Sequence, residues 1–395
     1  MEAMTHEGEG GLEAGMDSSK IAQRMSEVRR AVVKLGTSTV TGEQGELCAE
    51  HVEPIVRSIA KLMRERRQVI LISSGAVGLG RGLLGLHPSR LKDMAVKQAC
   101  AAAGQSLLME GYKRLFDANG TKVAQVLLTE EDFSNWTRYS NLRRTMEKLI
   151  GFGVVPIVNE NDTVSTAELE TIPGERRAAA FSDNDRLAAL VMSGLDADAL
   201  ILLTNVPGLL RAGRRDKSER VRGGVETEVI PVVGRITAEL KALAAGPSQN
   251  GRGGMVTKIE AAEIATRCGG LAVIADGSEP GVLDKILEGQ PAGTVFLPAS
   301  RMRGKRRWLA YAAGVRGRIV VDAGAHRAIT SGKASLLSSG VVRVDRQFGA
   351  MDVVSIVDAE GREFARGIAN CASEEQQKGQ VLFTRDNIVL LQAER

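Results

Sequence analysis

The stretch Val154-Val155-Pro156-Ile157-Val158-Asn159-Glu160-Asn161-Asp162 decides the reading of this chain. Aliphatic residues around Pro156 form the short run expected of a buried parallel strand, or of one near its sheet's edge. The run stops abruptly in amides and carboxylates. At the carboxyl end of such a strand, these are the groups that open α/β sheets gather around a ligand. A second cluster, Ser182-Asp183-Asn184-Asp185, follows a loop and precedes Leu187, Leu190 and Val191 at helical spacing. Singly, each cluster reads as a turn and a helix cap. Together, in this setting, they read as a site.

The same pattern recurs on both sides of this stretch. Ala31 to Val33 is a strand ending in Lys34-Leu35-Gly36-Thr37-Ser38, Val69 to Ile72 runs into Ser73-Ser74-Gly75, and Ala199 to Leu203 ends at Thr204 and Asn205. Val123 to Leu128 and Leu271 to Ala275 are further strands. Helices are expected around Val52 to Met63, where apolar residues recur at helical spacing, and over Tyr139 to Ile150 and Met255 to Arg267. Leu91 to Phe116 reads as a helix interrupted or bent near Gly104. This β-α alternation predicts an α/β protein, a parallel sheet sandwiched by helices with right-handed crossovers. The polar strand ends would then share one edge and line one crevice.

With 395 residues, 43% of them hydrophobic, the chain has ample core for one large domain and a small one. The net charge of +4 is small for this length, but residues 301–395 hold sixteen Lys and Arg against ten Asp and Glu. A polyanion contact is therefore to be sought late in the chain. The four cysteines, Cys48, Cys100, Cys268 and Cys371, are scattered without zinc spacing and are expected to be reduced core thiols. No stretch reaches membrane-span length, and Met1 to Gly15 is rich in Glu and Gly, so a soluble, cytoplasmic protein is expected. Residues 1–28 read as a flexible extension, with a helical turn or two from Ile21.

Two glycine-rich stretches invite a nucleotide reading. Gly80-Arg81-Gly82-Leu83-Leu84-Gly85 matches G-x-G-x-x-G, but its first glycine is not at a strand end and no acidic strand end follows about twenty residues later. A flexible turn bearing Arg81 is the expectation. Gly251-Arg252-Gly253-Gly254-Met255-Val256-Thr257-Lys258 has more merit, because it opens a helix. Backbone N–H groups can approach an anion there, the helix start adds partial positive charge, and Lys258 lies one turn inside. Standing alone it would be a Gly-rich turn with a solvated lysine. Lys34, closing an apolar strand just before Gly36, places a second ammonium at the same crevice.

Two lysines, glycine N–H groups and carboxylates, with none of the chain's four histidines in these motifs, suit phosphoryl transfer to a carboxylate. That acceptor is ionised at neutral pH and needs no general base. The remaining task is to hold two anions together and neutralise charge on the moving group. Asp185, between the lysines, would fix both ammonium groups.

In these motifs, with Val32-Val33-Lys34-Leu35-Gly36-Thr37-Ser38 and Ser73-Ser74-Gly75-Ala76, the chain resembles the glutamate 5-kinases of the amino acid kinase family from about Val32 to Leu297. The resemblance implies ATP-dependent phosphorylation of the L-glutamate side-chain carboxylate, the first step of proline biosynthesis. It also implies roles by position. Lys34, Lys258 and Asp185 would be catalytic. Ser74, Asp162 and Asn184 would bind L-glutamate. Lys34, Thr204, Asn205, Arg252, Gly253, Gly254, Met255, Val256, Thr257 and Lys258 would contact ATP, with Mg2+ held mainly by phosphate oxygens and water rather than by a protein metal site. A homo-oligomer, dimer or tetramer, and functional coupling to a glutamyl phosphate reductase are further expectations. Asn205 stands where aspartate is usual in the family, Ser182 where glycine is, and Arg252 where threonine is common. The loop from Thr163 to Phe181 is longer than usual, in a region that bears on proline feedback and subunit contacts.

After Leu297 the character changes. The expected organisation is an extension over 1–28, a kinase domain over 29–297, a basic linker over 298–306 and a PUA domain over 307–395. Short β-rich runs (Arg318 to Val321, Val341 to Val344, Val353 to Val357) carry the resemblance to the PUA domain, a small β-barrel-like module common in RNA-modifying enzymes. RNA contact through Arg303, Lys305, Arg306 and Arg307 is the alternative to a solvated linker, which is preferred because few aromatics are at hand for base stacking. The rival functions are a kinase of the same fold acting on N-acetylglutamate or a nucleoside monophosphate, and an RNA-binding regulator with a degenerate core.

Overall fold

The computed structural model describes residues 18–164, 184–212, 227–244, 254–299, 304–332, 334–375 and 377–391. Expectations placed on Ser182, Asp183, Arg252, Gly253, Arg303 and most of the loop after Thr163 lie outside these residues. Two compact units divide the chain. One takes Met1–Thr129 with Arg144–Arg301, the other Glu130–Arg143 with Met302–Arg395. No helix among the described residues is long and apolar enough to cross a membrane.

Up to Phe296 the strands are β1 (Arg30–Leu35), β2 (Gln68–Ser73), β3 (Lys122–Leu128), β4 (Val154–Glu160), β5 (Ala199–Thr204), β6 (Leu210–Ala212), β7 (Thr227–Val229), β8 (Val232–Val233), β9 (Leu271–Asp276) and β10 (Thr294–Phe296). The helices over the same span are α1 (Ser18–Ser26), α2 (Thr37–Val40), α3 (Ala49–Arg64), α4 (Ala76–Leu83), α5 (Met94–Asp117), α6 (Glu130–Ser134), α7 (Trp136–Gly151), α8 (Asn184–Gly194), α9 (Ala238–Ala244), α10 (Met255–Arg267) and α11 (Val282–Leu287). One eight-stranded sheet runs in the order β3-β4-β2-β1-β5-β9-β10-β8. Its first six strands are parallel, as their unbroken aliphatic runs predict for a sheet covered on both faces. The sequence reading did not foresee the edge, where β10 runs antiparallel to β9 and β8 pairs parallel with β10.

Register brings the polar strand ends together. Lys34 lies opposite Ile72 of β2 and Leu202 of β5, and Leu35 lies opposite Ser73 and Leu203. Val158 pairs with Ile72, so Asn159 arrives level with Ser73. Thr204 is opposite Asp276. One edge of the sheet thus collects residues that the sequence separates widely.

Two expectations are corrected. The Gly80-Arg81-Gly82 segment is not a flexible turn but part of α4, and α5 runs through Gly104 without interruption. Both findings have one cause, the close approach of these helices. A Cβ on Gly104 would sit 1.8 Å from the Ala76 carbonyl oxygen, and one on Gly80 would sit 1.8 Å from that of Cys100. The glycines serve packing here, not a phosphate. Within the segment expected to be a flexible extension, α1 buries Ile21 and Met25, and Val28 follows them into the sheet's core.

The second unit holds β11 (Val315–Val321), β12 (Leu336–Leu337), β13 (Val341–Arg346), β14 (Val353–Val357), β15 (Glu363–Ile368), β16 (Val381–Phe383) and β17 (Ile388–Leu390). Five of these form a sheet in the order β13-β11-β14-β15-β17, and β12 pairs with β16. Ile319, Val354, Ile356, Phe364, Leu382 and Phe383 belong to its core. The chain enters through α12 (Gly304–Arg307) and a π-helical turn, Trp308–Ala312. Asp322 caps α13 (Ala323–Thr330), its Oδ1 accepting from Ala325 N at 2.7 Å. Glu130–Arg143 belongs to this unit because Trp308 holds it. The Trp308 indole donates to Phe133 O at 2.7 Å and meets Trp136 edge to face at 5.0 Å. Arg307, one of the four basic residues weighed between RNA contact and solvation, is buried.

Candidate active site

β1 is a buried aliphatic strand whose last turn inward leaves a lysine, Lys34, only 3% exposed. α8 begins directly at Asn184, so Asp185 stands in its first turn, where the helix dipole favours a carboxylate. α10 begins after Gly254, an extended N-cap without a side-chain cap, and carries Lys258 one turn in. α8 and α10 pack against each other. Their packing closes the central cluster.

Asp185 is fully buried and bridges two ammonium groups. Lys34 Nζ lies 2.7 Å from Oδ1, and Lys258 Nζ donates to Oδ2 at 3.0 Å. Thr257 shares its hydroxyl proton between Asp185 Oδ2 at 3.2 Å and Gly254 O at 2.9 Å. A buried ion is costly unless paired, and here one carboxylate serves two cations. Among the described residues the cluster sets two ammonium groups against one carboxylate at the sheet edge. Positive charge is what a transferring phosphoryl group requires.

A second network lies beside it. Asn184 Nδ2 donates to Ser74 Oγ at 2.8 Å, to Asn159 Oδ1 at 3.0 Å and to Ser73 O at 3.2 Å. Gly75 then turns the chain into α4 with φ of 110°, and a Cβ there would stand 2.7 Å from Thr41 Oγ1. Asp162, half-buried, follows the end of β4, where Asn161 N donates to Leu128 O at 2.8 Å. Thr204 is buried, its hydroxyl donating to Asn205 Oδ1 at 3.3 Å and its carbonyl accepting from Gly277 N at 2.7 Å. Asn205 itself is exposed, as is Val256, while Met255 and Gly254 are half-buried.

The structure thus brings Lys34, Asp185, Thr257 and Lys258 into one cluster, and Ser74 and Asn184 into direct contact. The sequence places Ser73 and Asn159 at polar strand ends without a role and marks neither Gln105 nor Tyr112, yet all four join the second network, and Thr257, given to the nucleotide alone, joins the first. Asn159 was visible in the Asn-Glu-Asn-Asp run. Gln105 and Tyr112 sit in an ordinary-looking helix and carry no such mark. For a metal, the described residues offer no group of three His, Cys, Asp or Glu side chains, and both oxygens of Asp185 face lysines.

The model of the amino acid kinase family matches residues 29–275, and that of the PUA domain matches residues 317–387. The chain is 45% identical to the glutamate 5-kinase of Moorella thermoacetica over 348 residues, 88% of this chain and 87% of that protein. It is 45% identical to the glutamate 5-kinase of Myxococcus xanthus over 344 residues, 86% of each. Against that of Pelobacter propionicus it is 37% identical over 383 residues, 92% of this chain and 98% of the other.

Proposed function

The chain belongs to the amino acid kinase family and, within it, to the glutamate 5-kinases, and from that membership we infer the reaction it catalyses. It transfers the γ-phosphoryl group of ATP to the side-chain carboxylate of L-glutamate, giving L-glutamyl 5-phosphate and ADP, the first step of proline biosynthesis. A carboxylate oxygen forms the new bond to phosphorus as the bond to the β-phosphate oxygen breaks. No proton has to move, because the acceptor is already ionised.

The observation that carries this reading is the double ion pair of Asp185 with Lys34 and Lys258 at the carboxyl edge of the sheet. In our reading the lysines stabilise the negative charge spread over the transferring group, and Asp185 holds them at the spacing the reaction needs. The glycine-rich stretch from Arg252 together with the first turn of α10 through Lys258, with Thr204 and Asn205, takes the phosphates and the rest of MgATP. Ser74, Asp162 and Asn184 take L-glutamate, Asp162 facing its ammonium group. Mg2+ supplies charge neutralisation on the phosphates when bound, and Lys34 and Lys258 complete it from the protein side.

We further propose a cytoplasmic homo-oligomer, dimer or tetramer, that works with a reductase consuming its acyl phosphate, a product too labile to accumulate. RNA contact near residues 303–307 is disfavoured. Arg307 is buried, and Lys305 donates to Asn387 at 2.9 Å. The test is ADP formation from MgATP with L-glutamate, N-acetylglutamate or aspartate, trapping acyl phosphate with hydroxylamine. A hydroxamate formed with L-glutamate alone is expected. Equal yield with N-acetylglutamate would overturn the assignment.

A further inference from the structure

α5 carries two polar side chains, Gln105 and Tyr112, two turns apart on one face. Both enter the network around Asn184. Gln105 Oε1 accepts from Asn159 Nδ2 at 2.9 Å, and Asn159 Oδ1 in turn accepts from Asn184 Nδ2 at 3.0 Å and from Glu160 N at 2.9 Å. At the other end, Ser73 Oγ lies 2.9 Å from Ser74 O, to which it donates, and 2.7 Å from the Tyr112 hydroxyl, either oxygen of that pair being able to donate.

The polarity of this chain of amides is set by groups that have no alternative. The Ser73 carbonyl can only accept, so the Asn184 atom facing it is Nδ2. The Glu160 N–H can only donate, so the Asn159 atom facing it is Oδ1. Asn159 Nδ2 then needs an acceptor, and Gln105 Oε1 is that acceptor. With Nδ2 of Asn184 committed to Ser73, Ser74 and Asn159, its carbonyl oxygen is the atom left for a ligand. A carbonyl oxygen reads an N–H donor.

We propose that Gln105 and Tyr112 are positioning residues that orient Asn184 and the Ser73-Ser74 turn, and so select an acceptor bearing an ammonium group beside its carboxylate. This rests on the assignment of Asn184 and Ser74 to the acceptor. Loss of the Gln105 acceptor leaves Asn159 Nδ2 without its partner and Asn159 held only through Oδ1, by Glu160 N and Asn184 Nδ2, so the amide loosens and the Asn184 carbonyl loses its direction. Tyr112 acts on the same group through the serine turn. Burial keeps its phenol protonated well beyond neutral pH, so the hydroxyl partner of Ser73 stays neutral.

The experiment compares L-glutamate with glutarate, the same diacid without the ammonium group, as a competitive inhibitor. Gln105→Leu is expected to raise KM for L-glutamate about tenfold, while kcat, KM for MgATP and the KI of glutarate stay within about twofold. Gln105→Glu, which keeps an oxygen facing Asn159, is expected to restore most of the loss. Tyr112→Phe is expected to shift KM for L-glutamate the same way, by about threefold. Gln105→Met serves as the second apolar variant if Gln105→Leu does not fold. An unchanged KM for L-glutamate, or an equal loss toward glutarate and MgATP, overturns the inference. A wild-type enzyme that forms no hydroxamate with L-glutamate instead removes the assignment beneath it.

Discussion

Asp185 and Lys258 meet at 3.0 Å with the carboxylate wholly out of solvent, although one opens α8 and the other lies inside α10. The second oxygen of the same carboxylate faces Lys34 of β1. Three elements are therefore tied at one atom group, and perturbing it separates chemistry from stability in measurable ways.

Lys258→Ala removes one transition-state donor and leaves Asp185 paired to Lys34. Such a donor is worth about 3 kcal/mol, so kcat is expected to fall at least about a hundredfold with an unchanged circular dichroism spectrum. Hydroxamate formation measures it, and a near-normal rate would sink the assignment of Lys258.

Asp185→Ala acts differently, because it removes the carboxylate that both buried ammonium groups face. Removing one partner of a buried pair costs about 3–5 kcal/mol, so this variant should lose more stability than Lys258→Ala as well as all turnover. Urea titration of the two proteins side by side decides. A smaller loss for Asp185→Ala would mean that the carboxylate does not hold the cluster.

Gly104→Ala tests the closeness of α4 and α5. The added methyl would overlap the Ala76 carbonyl and stand 2.4 Å from Gly80 N, against backbone that cannot step aside. Overpacking of this kind costs about 1–3 kcal/mol or more. Because α4 begins at the Ser74-Gly75 turn, KM for L-glutamate should rise along with the drop in melting temperature. A variant as stable as the parent would show that the helices have room.

Tyr112 gives a pH signature. Burial raises its phenol above the ordinary value near 10, with the Ser73 hydrogen bond opposing the shift. The unfolded chain therefore loses this proton before the folded one does, and the contribution is whole below about pH 10 and lost as pH climbs through the folded-state value. Stability of Tyr112→Phe should accordingly decline less steeply than that of the parent above pH 10. Parallel curves in alkaline denaturation would refute this.

The thiols should differ in reactivity. Burial pushes Cys100 and Cys371 up, away from the reactive thiolate, whereas Cys48 is half-buried with its Sγ 3.3 Å from His51 Nδ1. Peptide mapping after brief alkylation at neutral pH should find the label on Cys48 first. Early labelling of Cys100 would show that the α4–α5 contact opens.

Much of the candidate site's placement is legible in the chain, because its polar residues sit where a strand's apolar run stops. Lys34, Ser74, Asp162 and Thr204 each mark such a stop, and a parallel sheet carries all of them to one edge. Asp185 and Lys258 were legible for a related reason, since each stands in the first turns of a helix preceded by polar or glycine residues.

Other features depend on distance in space that no local pattern encodes. Gly80 and Gly104 look like a nucleotide motif and a helix breaker until α4 and α5 are seen to touch through them. Phe133, Trp136 and Tyr139 recur every third residue, and the residue they meet is Trp308, far along the chain. Gln105 and Tyr112 lie at helix positions that any polar or aromatic residue could occupy. Only the packing of α5 beside the ends of β2 and β4 makes them partners of Asn159 and Ser73. Periodicity and strand ends follow from the backbone's own geometry and are written into the local order of residues. Which side chains complete each other's hydrogen bonds is settled by close packing, where a partner and its polarity exist only once the elements have met.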